Sequence, residues 1–220
     1  MLRLAQVCVK IGGADVLRSV SMHVPPNSFV ALVGRNGAGK TTLMRSVMNL
    51  LPITSGEVHI AGENTTQAPA HSHARNGVGY MPEDRRLIAD WTVEQNIMLP
   101  VFALHRPDYR SRLQSIYALI PEVDQFAGRK AMQLSGGQQK LVALARAFMA
   151  ATNLLILDEP FEGVAPALAQ RLVEILSGLR KESALSVLIS ESDAVHSEQL
   201  VDRVYTIERG RIDNTPVPVA

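Results

Sequence analysis

Apolar and polar residues alternate along Leu2–Val9 and again along Val16–Val24, with Gly12-Gly13 between the two runs. A period of two predicts a pair of half-buried strands joined by a turn. Pro25-Pro26-Asn27 breaks the alternation, and the continuous apolar run Phe29–Val33 then reads as a buried strand. At Thr42–Leu50 the apolar spacing turns helical. Pro52–Gly56 predicts a turn, Glu57–Ala61 an edge strand, polar Asn64–Asn76 a loop, and Gly77–Met81 a short strand. From Thr92 to Ala127 the spacing is helical again, with Ile97, Leu104, Leu113, Ile116, Leu119 and Ile120 apolar. Pro100, Pro107 and Pro121 are expected to divide it into short helices, because proline breaks the backbone ladder. There follow a helix from Ser135 to about Ala151, a buried strand Leu154–Leu157, a helix Pro166–Lys181 and a strand Ser186–Ile189. A last strand begins at Val204–Ile207 and turns at Gly210, and Pro216–Ala220 reads as a frayed tail. Strands alternating with helices imply a mostly parallel sheet. The expectation is a single α/β domain over 1–220, with an antiparallel β edge from the N-terminal strands and a helical subdomain inserted at about 90–150.

Composition narrows the class. The chain has 220 residues, 46% hydrophobic and 20% charged, ordinary for a globular domain. A formal net charge of +1 gives no electrostatic case for nucleic acid as a partner. Cys8 is the single cysteine, so no intrachain disulfide can form, and a small apolar role in the first strand fits it best. No apolar run approaches the roughly 20 residues of a membrane helix, and MLRLAQVCVK lacks the apolar core of a secretion signal. A cytoplasmic location is expected, with any membrane role coming through a partner. His71 and His73 lie in the polar segment, and two histidines alone fall short of the three or four ligands of a closed metal site.

The candidate chemistry begins at Gly34–Thr41, GRNGAGKT, which fits G-x-x-x-x-G-K-[ST] between a buried strand and a helix. Free N–H groups at a helix N-terminus attract anions. Gly34, Gly37 and Gly39 let the backbone approach a phosphate where a Cβ would clash. Arg35, Asn36, Ala38 and Thr42 complete the loop, Lys40 is expected to reach β- and γ-phosphates, and the Thr41 hydroxyl to ligand Mg²⁺.

Leu154–Leu157 leads into Asp158 and Glu159. At the end of a buried strand Asp158 can hold the Mg²⁺ shell, and Glu159 can act as general base toward water. Ser135-Gly136-Gly137-Gln138 opens a helix behind a serine cap, which makes a second anion site. One nucleotide does not need two phosphate loops in one chain. The economical explanation is that Ser135–Gln138 meets the γ-phosphate of a nucleotide held by another subunit.

In this order and spacing, GRNGAGKT, LSGGQQK and LLILDEP resemble the ATP-binding subunits of ABC transporters over essentially the whole chain. The resemblance implies a P-loop NTPase core of the ABC ATPase type, ATP and Mg²⁺ as cofactors, and hydrolysis coupled to transport. It also implies a second nucleotide-binding domain docked head to tail, transmembrane permease subunits, and a peripheral place on the cytoplasmic face of the membrane. GVGYMPEDRR (Gly77–Arg86) and FEGVAP (Phe161–Pro166) are similar to the GxGYxPExRR and GLAP forms of importers of branched-chain amino acids and urea.

Four positions depart from the general family pattern. Ile11 stands where an aromatic ring usually stacks on adenine, a contact worth about 1–3 kcal/mol. Glu83 replaces the usual glutamine and can still ligand Mg²⁺, and Ala165 replaces an aspartate. Aligned without gaps, Ser192 falls where a histidine normally contacts the γ-phosphate; a one-residue shift would put Glu191 there, and Ser192 could instead cap a helix beginning near Asp193. Two other readings share these motifs: a non-transport ABC ATPase, and an ATP-binding-only member of a heterodimer.

Overall fold

The computed structural model describes residues 1–104 and 107–212, with the backbone of 217–218. In chain order the elements are β1 (Leu2–Ile11), β2 (Ala14–Val24), β3 (Phe29–Val33), α1 (Lys40–Val47), β4 (Ser55–Ile60), β5 (Glu63–Asn64), α2 (Ala70–Arg75) and β6 (Val78–Met81). Then come α3 (Val93–Leu104), α4 (Tyr109–Leu119), α5 (Pro121–Gln125), α6 (Gly136–Ala150), β7 (Leu154–Asp158), α7 (Pro166–Glu182), β8 (Ser186–Glu191), β9 (Arg203–Glu208), β10 (Arg211–Ile212) and β11 (Val217–Pro218).

One sheet is antiparallel with strand order β2-β1-β4-β5, and the other runs β10-β9-β3-β8-β7-β6 with β11 beside β9. In the second, β9, β3, β8, β7 and β6 are mutually parallel. The N-terminal strands therefore build a sheet of their own rather than a rim on the parallel one. The reason lies in their alternation: Leu2, Leu4, Val7 and Val9 are buried, and they share a core with Val30, Leu32, Leu154 and Ile156. One face of the antiparallel sheet thus packs across one face of the parallel sheet. The other face of the parallel sheet, carrying Phe29, Ala31, Leu155, Leu157, Val187 and Ile189, packs against α3, α6 and α7.

Three sequence expectations change. The edge strand expected at Glu57–Ala61 is β4, flanked by β1 and β5. The loop expected at Asn64–Asn76 contains α2, which packs on β6 and turns His73 fully inward with no hydrogen bond to either ring nitrogen. Burial pushes that imidazole below its usual range, which favours the neutral ring. Among the described residues no group of three or more His, Cys, Asp or Glu is placed to hold a metal. Pro100 does not end a helix: α3 runs through it, anchored by buried Val93, Asn96, Ile97, Met98 and Val101. Its missing N–H removes one bond that this packing offsets. The Pro216–Ala220 tail lies largely outside the described residues, but Val217 and Pro218 pair with Val204 and Arg203.

Candidate functional site

β3 ends at the centre of the parallel sheet, and the loop it feeds wraps over into α1. Gly37 and Gly39 hold φ of +81° and +111°, a region that L side chains resist. The β9–β10 turn clamps the loop from behind, with the Gly210 N–H donating to the Ala38 carbonyl at 2.9 Å. Lys40 is 4% exposed. Its ammonium donates to the Gly34 and Arg35 carbonyls and pairs with a Glu159 carboxylate oxygen at 2.9 Å. A cleft of about 470 Å³ opens here, lined by Val16, Asn36, Gly37, Gly39, Lys40, Thr41, Thr42, Glu83, Glu159 and Glu162.

β7 carries Asp158 to a recess beside this cleft and leads directly into Glu159, which lines the cleft itself. Asp158 is fully buried and accepts from three hydroxyls: Ser190 at 2.8 Å, Thr41 at 3.2 Å and Tyr80 at 3.4 Å. Burial pushes its carboxyl up and the hydroxyls of Ser190, Thr41 and Tyr80 pull it back. Glu159 departs from the strand with φ +52°, and its backbone N–H donates to Ser190 Oγ at 3.1 Å. Burial raises its carboxyl and Lys40 opposes that shift. Lys140, on the first turns of α6, donates to the Glu159 carbonyl at 3.1 Å and the Glu162 carbonyl at 2.6 Å. Burial pushes the Lys140 ammonium down to about 8.

Glu83 lines the main cleft and also an adjoining recess of about 190 Å³, which Thr41 and Asp158 line too. These three oxygen donors share one boundary, and hard oxygen ligands suit Mg²⁺. Beyond Glu83 the chain turns through Arg85 and Arg86 with positive φ, and Arg146 of α6 donates to both of their carbonyls. Arg85 in turn donates to the Gly136 carbonyl at 3.1 Å. At the α6 N-terminus, Ser135 and Gln138 form a reciprocal cap, with bonds of 3.3 and 3.0 Å. None of Ser135, Gly136, Gly137 or Gln138 lines the cleft; Ser135 and Gly136 face solvent.

A phosphate loop, paired strand-end carboxylates and a capped Ser-Gly-Gly helix start are now placed on one scaffold. Residues 17–162 match the ABC transporter family. The chain belongs to it. It is an ATP-binding ATPase domain of the ABC kind. It is 34% identical over 212 residues to the high-affinity branched-chain amino acid transport ATP-binding protein BraG of Pseudomonas aeruginosa, across 96% of this chain and 91% of that one. It is 32% identical over 205 residues to the lipopolysaccharide export system ATP-binding protein LptB of Haemophilus influenzae, across 92% and 85%. In fold it resembles the dimeric structure of MJ0796, a bacterial ABC transporter cassette, with a TM-score of 0.89 at 24% identity over 100% and 99% of the two chains. These relatives serve different cargoes, so membership of the ABC family leaves the cargo open.

Two of the departures noted in the sequence, Ile11 and Ser192, have different places in this ABC domain. Ile11 ends β1, is 47% exposed, and does not line the cleft. The apolar wall there is Val16, which the alternation of β2 marked as strand without marking it as site. Ser192 lies against the phosphate loop, its hydroxyl donating to Asn36 Oδ1 at 3.1 Å. No helix follows it: 192–194 bend and 195–200 turn, and Asp193 rather than Ser192 accepts the Val195 N–H, which leaves Ser192 without a capping role. The shifted alternative, Glu191, turns into the protein: it is 3% exposed, and neither carboxylate oxygen has a partner in hydrogen-bond geometry.

Glu191 makes a pH prediction for this ABC domain. Burial, reinforced by the negative charges of Asp193 and Glu159, pushes its carboxyl up to about 7. Between its ordinary value near 4.5 and pH 7 the folded chain holds a proton that the unfolded chain has lost. Stability therefore falls as pH rises through that window, by roughly 3 kcal/mol at 1.4 kcal/mol per unit. Glu191→Gln is expected to raise the melting temperature at pH 8 and to change it little at pH 5. Equal effects at both pH values would mean that the carboxyl is already charged when folded.

Proposed function

We propose that the chain is the ATP-hydrolysing subunit of an ABC importer for branched-chain amino acids, urea or related amides. It works as a single nucleotide-binding domain, with α3–α6 as its helical subdomain, paired with a second such domain and docked on permease subunits at the cytoplasmic face of the membrane. One observation carries this reading. Lys40, Thr41 and Glu159 line one cleft and Asp158 lines the recess beside it, bonded to Thr41, while Ser135–Gln138, a capped helix start, lies outside that lining. Each chain thus holds one complete phosphate loop and one unmatched half-site, and a head-to-tail pair completes both. GVGYMPEDRR and the kinship with BraG favour the amino-acid branch over lipopolysaccharide export.

The chemistry assigned to the residues follows from their places. The loop amides from Gly34 to Lys40 and the Lys40 ammonium hold the phosphates, with Thr42 at the loop's end. Thr41, Glu83 and Asp158 would hold Mg²⁺, which when bound with the nucleotide offsets charge on the β- and γ-phosphate oxygens. The raised carboxyl of Glu159 suits a general base, since such a group works best near the ambient pH. Ser192, whose hydroxyl bonds Asn36 of the loop, would reach the γ-phosphate only through a water. Lys40 must exchange Glu159 for phosphate, and that exchange frees the base as substrate arrives.

The test is to isolate the chain with the permease it accompanies from its own cells and reconstitute the complex in vesicles. Leucine, isoleucine, valine or urea is expected to stimulate ATP hydrolysis severalfold. Stimulation by lipopolysaccharide alone would overturn the cargo assignment.

Base selectivity at this site is expected to be weak. Among the described residues no aromatic side chain lines the cleft, and Ile11 offers no ring for stacking. GTP should bind within roughly tenfold of ATP, about 1.4 kcal/mol and inside the range one stacked ring supplies. A hundredfold preference for ATP in competition binding would show that a ring reaches the base after all.

A further inference from the structure

Ser190 follows the apolar run Val187-Leu188-Ile189 in β8 and is fully buried. Strand pairing puts it beside two parts of the site at once: Leu32 of the phosphate-loop strand on one flank and Asp158 on the other. Its hydroxyl has one proton to donate and lone pairs to accept, and both capacities are used. It donates to Asp158 Oδ1 at 2.8 Å, the shortest of the three hydroxyl contacts to that carboxylate. It accepts from the Glu159 N–H at 3.1 Å. Glu159 is the first residue beyond β7, so the sheet ladder no longer supplies its amide with an acceptor. The residue also holds a left-handed φ of +52°, which persists in a non-glycine only where the surroundings fix it. A single oxygen atom thereby ties the side chain of one acid to the backbone of the next.

We propose that Ser190 is a positioning residue that fixes Glu159, through its backbone amide, relative to the carboxylate of Asp158. The inference rests on the roles assigned above to Glu159 and Asp158. Without the hydroxyl, the Glu159 N–H loses its partner, the left-handed turn relaxes, and the base shifts relative to the attacking water. Asp158 keeps Thr41 and Tyr80, so metal binding weakens without vanishing. Misplacement of a reacting group by about 1 Å can cost on the order of 100-fold in rate, whereas phosphate contacts from the loop and Lys40 are untouched.

The experiment compares Ser190→Ala, Ser190→Thr and Ser190→Val in the full chain. Threonine and valine have the same branched shape and differ in the hydroxyl, so their difference isolates the hydrogen bonds from packing. Single-turnover hydrolysis of saturating MgATP is expected to slow roughly 10- to 100-fold in the Ala and Val variants. ATP affinity measured without divalent metal should stay within about threefold, on the same argument that the loop contacts persist. Mn²⁺ in the nucleotide complex, followed by electron paramagnetic resonance, should bind more weakly in both. Thr should restore rate and Mn²⁺ affinity toward those of the parent. If Ala and Val hydrolyse at the parental rate, or if Thr is as slow as Val, Ser190 does not position the acids. Should Ala fail to fold, the Thr–Val comparison decides alone. A parent chain that does not hydrolyse ATP, or a Glu159→Gln variant that does so at the parental rate, defeats the underlying assignment of roles instead.

Discussion

Lys40→Ala is expected to lower MgATP affinity by roughly 100-fold or more. Charge-assisted hydrogen bonds contribute about 1.5–3 kcal/mol each, and each 1.4 kcal/mol is a factor of ten. Lys40 is the lysine that both belongs to the loop and reaches the cleft. The structure adds a second consequence. Lys40 and Glu159 are 4% and 6% exposed and 2.9 Å apart, and removing one partner of such a buried pair costs about 3–5 kcal/mol. The loss of stability should be greater at high pH, where Glu159, already raised by burial, cannot escape by taking a proton. Lys40→Ala combined with Glu159→Gln should therefore recover much of the melting temperature and none of the affinity. Calorimetric titration with MgATP and thermal melts at two pH values separate the effects. Parental affinity in Lys40→Ala would remove the phosphate-loop assignment.

Glu159→Gln is expected to reduce turnover by roughly 10²- to 10⁴-fold, the usual contribution of a general base, while MgATP affinity is kept or improved. Glutamine preserves the side-chain shape and cannot accept the proton of water. It also removes the carboxylate that Lys40 must leave before reaching phosphate, which is why affinity should not fall. With hydrolysis blocked, the head-to-tail pair should accumulate, visible as a shift from monomer to dimer in size-exclusion chromatography with MgATP. Ser135→Arg, which places a bulky cation in the exposed half-site, should abolish that shift and leave monomeric nucleotide binding unchanged. Hydrolysis by Glu159→Gln at the parental rate would exclude it as the base.

Much of the domain could be read from sequence because its chemistry is local along the chain. Gly34–Thr41 encodes a strand end, a left-handed turn and a helix start in eight consecutive residues, and each requirement is met by residue type alone. The same holds for Ser135–Gln138, whose capping box closes within four residues, and for Asp158-Glu159 at the end of an apolar run. Strand periods of two and helix periods near 3.6 located most elements for the same reason. Where a rule is about one residue in isolation it misled: Pro100 was expected to break a helix that packing sustains, and polar Asn64–Asn76 hid α2 and a buried His73.

Relations across the sheets were decided by the tertiary structure. The separate antiparallel sheet, the buried Glu191 and the exposed Ile11 depend on which faces meet, and alternation along one strand does not say which sheet will cover it. Lys40 meets Glu159 because β3 and β7 flank β8 in one parallel sheet. Ser190 touches Asp158 because the β7–β8 register aligns them side by side. Sequence spells out what each residue can donate, accept or avoid. Strand order and register choose its partners, because hydrogen bonds and ion pairs form between neighbours in space over distances of about 3 Å.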